Sequence, residues 1–423
     1  MKKQKIAVFL AASLSFFTLF SSLAFGDNFL SNYLHGSYGV DSNAGLTAFP
    51  VLNIPFGGRS EGMAGAFAAV ADDISFLEYN PAGSSMLQRT ELAFFHNNWI
   101  ADTNIESVAY ATRFGNNIGF AAGAKWLYTP FTEYNMYGES VANGYYSEAV
   151  AIVNASYNFF SGYYYSGLSV GMNLKGAFRF MPDFTDKFGN IVSGSGDSQS
   201  AMTAMIDIGA LTRFDFLKFY SSRERNASAA FVIKNLGPSV MGDPLPTVIN
   251  AAISYKPIRP ILIAFDFNIP VNLSDFDLSE SPYAAFGLSA NITRFLTMRA
   301  GLMYKGGSSR VTIGSAIDMN LVSFDVNYTL DLLTQMQPLN RVSLGVRLDL
   351  GDQNRKQISD RVDELYLLGL EAYSRGNYAD ARLCFEEALR LNPRFEPARE
   401  GLATLEDREA LFQRVEDLYR FDF

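Results

Sequence analysis

The chain has little of what soluble chemistry draws on. Among its 423 residues there are one cysteine and two histidines. A single cysteine cannot close a disulfide within the chain. The usual zinc site takes three or four Cys and His ligands, and the three such residues here, His35, His96 and Cys384, are scattered. No metal or other cofactor is expected. Charged residues make up 18% and hydrophobic ones 48%, the reverse of a disordered chain. Positive charge is short as well. The formal net charge is −9, which disfavours a nucleic-acid partner, because a polyanion needs a basic face. After residue 26 there is no apolar run long enough for a membrane helix. Catalytic motifs are missing too. Gly167-Leu168-Ser169-Val170-Gly171 has G-x-S-x-G spacing, but it lies within a strand-like segment and no histidine follows it. There is no phosphate loop and no H-E-x-x-H. No catalytic residue is assigned, and the chain reads as a non-enzyme.

What is present begins with export. Lys2, Lys3 and Lys5 precede an apolar run from Ile6 to Leu23, and Ala24-Phe25-Gly26 places small residues at −3 and −1 of a cleavage site. This predicts a secretory signal peptide over 1–26. A retained membrane anchor is the alternative, since the run nearly reaches the ~20 residues a span needs.

The middle of the chain alternates with period two, the mark of strands whose side chains face opposite sides. Val322, Phe324, Val326, Tyr328 and Leu330 fall on one face, and Ser323, Asp325, Asn327 and Thr329 on the other. Residues 261–269, 342–350, 168–180 and 296–304 repeat the pattern. Such strands suit either a soluble sandwich or a membrane barrel. The barrel is favoured by segments near the ~10 residues of a tilted spanning strand. It is also favoured by a polar face poor in charge, and by aromatics near strand ends such as Trp99, Tyr128, Phe180 and Tyr304. Fourteen segments can be counted, from 90–99 to 339–350, an even number as bacterial barrels require. Gly115-Asn116 and Met319-Asn320 look like tight turns. The links near 129–145, 181–200 and 270–280 look like extracellular loops, and the 215–225 link fits either side. The fold expected is an all-β membrane barrel of about 14 antiparallel strands over 90–350.

Residues 27–89 precede the first strand. Within them, 57–87 are too rich in Gly and Ala for a bilayer strand. Ala64 to Ala71 reads as a short helix, and Asn80-Pro81-Ala82-Gly83 as a turn. Such a unit would pack inside the lumen as a hatch. The run from Gly58 to Ala66 (G-R-x-x-G-M-x-G-A), Ala71-Asp72-Asp73 and the Asn80–Gly83 turn resemble the N-terminal hatch of FadL-type outer-membrane long-chain fatty acid transporters. They are also similar to the PorV-like relatives of that fold and to a spirochaete group of FadL-like proteins. Asn235-Leu236-Gly237 with Leu245-Pro246-Thr247 resembles a feature of the PorV-like branch. The resemblance implies a bacterial outer-membrane location and passive uptake of long-chain fatty acids or similar hydrophobic ligands. It implies a hatch that moves, with Asn80, Pro81, Ala82 and Gly83 at the gate, and a lateral gap beside a kinked strand. On the lumen face, Lys125, Lys175, Arg179, Arg299 and Arg347 are candidates to hold an acidic head group. Pairing with acids such as Asp266, Asp318, Asp325 and Asp349 is the competing reading, because an unpaired charge inside a barrel is costly.

From Gly351 the composition changes: 27 of the last 73 residues are charged, against 50 of the preceding 350. The period becomes helical. Leu365, Leu368, Gly369, Tyr378, Ala381, Phe385, Ala388 and Pro393 fall at the spacings of a tetratricopeptide repeat (TPR). One repeat is visible, with one or two capping helices over 396–418. A single repeat lacks the stacking that supplies its core. A periplasmic TPR-like domain over 351–423 is therefore expected to lean on the barrel rim, self-associate, or dock a periplasmic protein partner. Three functions follow: uptake of hydrophobic molecules, a PorV-like scaffold serving a secretion machinery through the tail, or a surface barrel acting through its loops. Outer-membrane lipid surrounds the barrel in all three.

Overall fold

The computed structural model describes residues 41–99, 102–186, 190–305, 309–332 and 341–421. The expected signal peptide and the start of the hatch, up to residue 40, lie outside the described residues. Fourteen strands follow the hatch: β1 (Glu91–Asn98), β2 (Asn104–Phe114), β3 (Ile118–Tyr134), β4 (Ser140–Phe159), β5 (Leu168–Phe180), β6 (Ala201–Phe214) and β7 (Ala227–Leu236), then β8 (Thr247–Ile258), β9 (Ile261–Val271), β10 (Tyr283–Asn291), β11 (Leu296–Tyr304), β12 (Arg310–Asp318), β13 (Val322–Asp331) and β14 (Arg341–Asp349). Each pairs antiparallel with its sequence neighbours, and β1 pairs with β14 to close the barrel. Every strand expected from the period-two pattern is present.

The alternation sets the two faces. On β13, Phe324, Val326 and Tyr328 are exposed outward, while Asp325, Asn327 and Thr329 are buried inside. On β9, Ile263, Phe267 and Ile269 point out, and Asp266 and Asn268 point in. An apolar exterior running round a closed barrel belongs in lipid, where closure leaves no unpaired strand edge. Trp99 is not part of the outer aromatic band. It is partly buried against the core, and the Arg341 guanidinium lies 3.7 Å above its ring.

Antiparallel succession sorts the links onto two rims. The short turns after β2, β8, β10 and β12 share one rim with 160–167 and with 215–226, so the charged 215–225 link lies on the tight-turn side. The links 181–200, 237–246 and 272–282 share the other. Residues 129–145, expected as a loop, are mostly strand. β2 begins opposite Tyr128 and β5 ends opposite Ser147, so β3 and β4 continue past their neighbours as a projecting hairpin.

Residues 41–89 fill the lumen. The helix expected over Ala64–Ala71 is not there. A single helical turn, α1 (Arg59–Gly62), is followed by turns in which Ala64 and Gly65 have φ of 52° and 83°. The reason is contact on several sides. Met63, Ala66, Phe67 and Val70 pack on Leu262, Ala264 and Ala285, while Ala68 and Ala69 pack on Val232 and Ala252. A segment touching wall all round has no one-sided stripe to favour a helix. A second helical turn, α2 (Phe76–Tyr79), leads into a 3-10 turn at Pro81–Met86. Glycines on the inner wall admit this unit. A Cβ on Gly171 would overlap the Pro81 carbonyl, and one on Gly301 would overlap the Met63 backbone.

The tail is three helices: α3 (Arg355–Ser374), α4 (Tyr378–Leu391) and α5 (Glu396–Phe421). Leu365, Ala381, Phe385 and Ala388 form its core with Val362 and Phe395, and Tyr378 packs at its edge. A Cβ on Gly369 would come 2.5 Å from the Phe385 ring. Leu368, at a repeat position, is exposed, and Pro393 lies in the exposed turn before α5. The expected capping helices are one continuous helix. The tail leans on the tight-turn rim. Arg223 pairs with Asp363, Arg394 Nη1 donates to Ser161 Oγ at 2.8 Å, and the Tyr163 amide donates to Glu396 Oε2 at 2.6 Å.

The inner-wall glycines generate a paired prediction. Gly171→Val should push the hatch off β5 and cost about 1–3 kcal/mol, as overpacking does. Gly176→Val lies on the lipid-facing side of the same strand, where only Phe178 is near, and should cost little. The temperature of heat-modifiable gel migration of the two refolded barrels measures the difference.

Candidate functional site

The hatch is held to the wall by polar joints that the turn chemistry creates. Pro81 fixes the start of the 3-10 turn and Asn80 caps it, its side-chain oxygen accepting from the Ala82 amide at 3.0 Å. The Asn80 amide donates to the Ala68 carbonyl at 2.8 Å within the hatch and to the Ala210 carbonyl of β6 at 3.3 Å. The Pro81 carbonyl accepts from Asn154 of β4 at 2.9 Å, and the Ala82 carbonyl accepts from Ser169 of β5 at 2.6 Å. Gly83 lies against Phe76, where a Cβ would come within 2.6 Å of that side chain. The four residues thus join the hatch to three adjacent strands.

Wall carboxylates satisfy hatch amides that no helix or sheet would otherwise pair. Asp266 accepts from Phe67 and Ala68 at 3.3 and 3.0 Å, Glu148 accepts from Val51 at 3.0 Å, and Glu91 accepts from Ile74 at 2.8 Å. Buried backbone donors need such partners, and ionised acceptors make the stronger bonds.

The five lumen cations expected from sequence do not converge on one point. Lys125 of β3 pairs with Glu78 of the hatch and donates to the Ile54 carbonyl. Arg347 of β14 pairs with Asp73 of the hatch at 2.7 Å. Lys175 pairs with Asp207 at 2.6 Å, and Arg299 with Asp325 at 2.5 Å, both within the wall. Arg179 has no carboxylate partner among the described residues. It donates to the Gln199 carbonyl at 3.2 Å and lies 5.7 Å over the Phe49 ring. The inner face is therefore rich in charge, not poor in it as the period-two reading expected. Strong residues at few positions, each buried with a partner, replace a weakly polar surface.

On the long-loop side of the hatch, Lys125 and Lys175 border a chamber of about 130 Å³. Hatch residues Glu61, Ala64, Gly65, Glu78 and Tyr79 line it from one side. Leu52, Ile54, Val150, Ile152, Val248 and Met303 give it apolar walls. Lys125, Lys175, Lys234, Lys305, Arg310 and Arg341 bring six cations against Glu61 and Glu78. Lys305 is taken by Glu280 at 2.5 Å, and Arg341 stands 3.6 Å from Glu61. Lys234 has no ion pair among the described residues, and Arg310 of β12 stands opposite Asp331 of β13. The Lys234 ammonium lies 5.2 Å from the centroid of the Tyr79 ring. Neither was singled out by sequence. β7 reads Ala-Ser-Ala-Ala-Phe-Val-Ile-Lys, apolar on both faces, so parity does not assign Lys234 to the lumen.

The expected lateral gap is absent among the described residues, because every neighbouring strand pair is hydrogen-bonded. The ladder is irregular between β6 and β7 at Ile206/Ile208. There Asp207 accepts from the Asn235 amide at 2.7 Å, and Asn235, with φ 56°, donates to the Pro246 carbonyl at 3.0 Å. The Asn235-Leu236-Gly237 and Leu245-Pro246-Thr247 segments thus form one bonded corner instead of an opening.

Residues 37–353 match the profile of the Uncharacterised protein family UPF0164, and residues 362–395 match a tetratricopeptide repeat. The chain belongs to the UPF0164 family. Relatives include three UPF0164 proteins of Treponema pallidum (strain Nichols). One is 30% identical over 383 residues, covering 87% of this chain and 84% of the relative. The others are 27% identical, over 88% of this chain and 78% and 77% of their own lengths. Among solved structures, the chain is similar to the CymD monoaromatic hydrocarbon channel (TM-score 0.49, 13% identity, 72% of this chain and 99% of that one). It is also similar to the Ralstonia pickettii toluene transporter TbuX (0.45, 11%, 70% and 98%) and to a Pseudomonas aeruginosa FadL homologue (0.42, 10%, 70% and 98%).

Two predictions follow from the latches. Lys125→Met strands Glu78 as a buried unpaired charge and should cost about 3–5 kcal/mol, while adding Glu78→Met should recover most of it. Denaturant unfolding of the refolded single and double variants reads this. Burial pushes the Glu61 carboxyl above the usual carboxylate range, with Arg341 opposing the shift. The folded state then holds this proton more tightly than the unfolded one. Stability should fall as pH rises from the ordinary carboxylate range through the raised value, and Glu61→Gln should flatten that slope.

Proposed function

We propose that this member of the UPF0164 family is an outer-membrane channel that takes up hydrophobic small molecules bearing an acidic group, long-chain fatty acids foremost. The observation that carries the reading is the chamber behind the hatch. It joins apolar walls to Lys234, a cation that makes no ion pair among the described residues and lies over the Tyr79 ring. An acidic head group supplies the missing anion through charge-assisted bonds, and Leu52, Ile54 and Val248 receive the chain. The long-loop rim faces outside and the tight-turn rim faces the periplasm, as short turns do in bacterial barrels. The ligand enters by diffusion. Movement of the hatch about the Asn80–Gly83 joint opens the way, without an energy source. The helical tail then stands in the periplasm.

One observation favours a second reading. Leu411, Phe412 and Val415 of α5 are exposed, an apolar stripe on a helix that in a longer array would be covered. A PorV-like scaffold docking a periplasmic protein through the tail would use it.

The test is displacement of a fluorescent long-chain fatty acid from the refolded full chain in detergent. Saturable, length-dependent displacement is expected. Lys234→Met should weaken it about tenfold or more, the worth of one charge-assisted bond, and Lys234→Arg should weaken it less. No binding by a barrel that still shows heat-modifiable migration would move the reading to the scaffold.

A further inference from the structure

Beneath the hatch, on the tight-turn side, lies a second cavity of about 340 Å³. It shares Arg113, Ser166, Arg223 and Arg225 with the cleft between the rim and the tail, so the two adjoin. Its acids are already engaged. Asp72 pairs with Arg59 at 2.6 Å and Glu224 with Lys256 at 3.7 Å, while two of its arginines, Arg225 and Arg223, are taken by Asp215 and Asp363.

Three guanidinium groups make no ion pair among the described residues, although Asp72 and Glu224 stand near Arg213 and Asp352 near Arg355. Arg213 of β6 donates only to the hatch carbonyls of Val70 and Ala71, at 3.2 and 3.3 Å. Arg113 of β2 reaches the Ser85 carbonyl at a long 3.5 Å. Arg355, at the start of the tail, donates to the carbonyls of Arg113 and Gln88 at 2.7 and 2.9 Å. The Nε groups of Arg113 and Arg355 are buried and have no acceptor. In a chain of net charge −9, like charges gathered in one sheltered place do not reflect a generally basic surface. Neutral carbonyls do not neutralise them, and a buried donor without an acceptor is costly.

We infer that this vestibule is a second, oxyanion-binding site, in which Arg113 and Arg213 of the barrel and Arg355 of the tail hold a carboxylate or phosphate group. Each guanidinium presents planar N–H forks suited to two oxygens of such a group. The tail is then part of the site and not only a cap, since Arg355 of α3 lines the adjoining cleft beside Arg113 and also fastens the tail to β2. The inference does not depend on what the chamber above the hatch binds, because the hatch separates the two spaces and no lining cation is shared.

The oxyanion has two possible sources, a free solute or an acidic lipid head group, and two arms of one experiment separate them. The refolded full chain in detergent is titrated calorimetrically with inorganic phosphate, and its retention of phosphatidylglycerol is followed by native mass spectrometry. One equivalent bound in either arm is expected, and the positive arm names the source. Arg113→Gln and Arg213→Gln should each weaken that binding at least tenfold. Arg361→Gln, exposed on α3 and paired with Glu364, should leave it unchanged. Arg113→Lys keeps the charge and loses the fork, so a folded Arg113→Lys protein with weakened binding preserves the test if the glutamine variant fails to fold. No binding in either arm, or binding equal to the unsubstituted protein in folded Arg113→Gln and Arg213→Gln, overturns the inference.

Discussion

The close fit of a small-residue hatch against a wall that yields space to it is the contact on which everything else rests. Fourteen strands enclose a lumen too wide for their own side chains to fill, whereas about eight strands can do so. The chain solves this by folding its own N-terminal segment inside. Two partners had to become small together. The hatch supplies Gly62, Ala64, Gly65, Ala66, Ala68 and Ala69, and the wall supplies inward glycines such as Gly119, Gly171, Gly287 and Gly301. Backbone then meets backbone, which only works if the polar groups at the contact are answered. Asn154, Ser169 and Asp266 answer them from the wall. A glycine on the wall and an asparagine or aspartate near it serve one requirement, close approach without an unsatisfied carbonyl or amide.

Charge inside the barrel follows from the same constraint. A buried ion survives only with a partner of good geometry. Lys125 with Glu78 and Arg347 with Asp73 cross from wall to hatch, so they set where the hatch sits as well as neutralising themselves. Lys175 with Asp207 and Arg299 with Asp325 stay within the wall and leave hatch position untouched. Against that background of pairing, the cations that make no ion pair among the described residues are informative. The one in the chamber borders apolar wall, and those in the vestibule border the tail. The two groups lie on opposite sides of the hatch.

How much of this was legible depends on the range of the interaction. Period two is local, and it exposed all fourteen strands, including the inward parity of Arg299, Asp325 and Arg347. The tail repeat is local too, and Leu365, Ala381, Phe385 and Ala388 stand where the spacing places them. The hatch was legible as a unit that is not a strand. Its internal path was not, because Ala64–Ala71 takes its shape from contacts on Leu262, Val232 and other residues far along the chain. Pairing was also beyond the sequence. Lys125 and Arg347 were visible as lumen cations, but their partners depend on how the hatch is threaded. Lys234 stayed hidden because Ala230 and Val232 put apolar side chains on the inner face of β7. Arg355 stayed hidden because its role needs the tail docked against β2.

The hatch is bonded unevenly, and this bears on how any passage through the barrel can open. Asn80 to Ser85 are tied to β4, β5 and β6 by neutral hydrogen bonds, in contacts that exclude other side chains: Asn154 and Ser169 donate to hatch carbonyls, Ser156 accepts from the Ser85 amide, and Asn80 donates to the Ala210 carbonyl. Expelling this part would expose many buried groups at once. Glu78 is a different joint. Its carboxylate accepts from the Phe56 amide at 2.5 Å and from Lys125, so one side chain ties the 50–56 segment, α2 and β3 together. It also borders the chamber, next in sequence to Tyr79, whose ring carries Lys234. An anion seated at Lys234 would compete with Glu78 for the local positive charge, and loosening that one carboxylate would free the 50–56 segment while the dry face on β4–β6 stays in place. A local shift of this kind breaks a few charge-assisted bonds, each worth about 1.5–3 kcal/mol, and leaves the close-packed contact intact. The arrangement therefore favours a hatch that rearranges at its chamber edge over one that leaves the barrel.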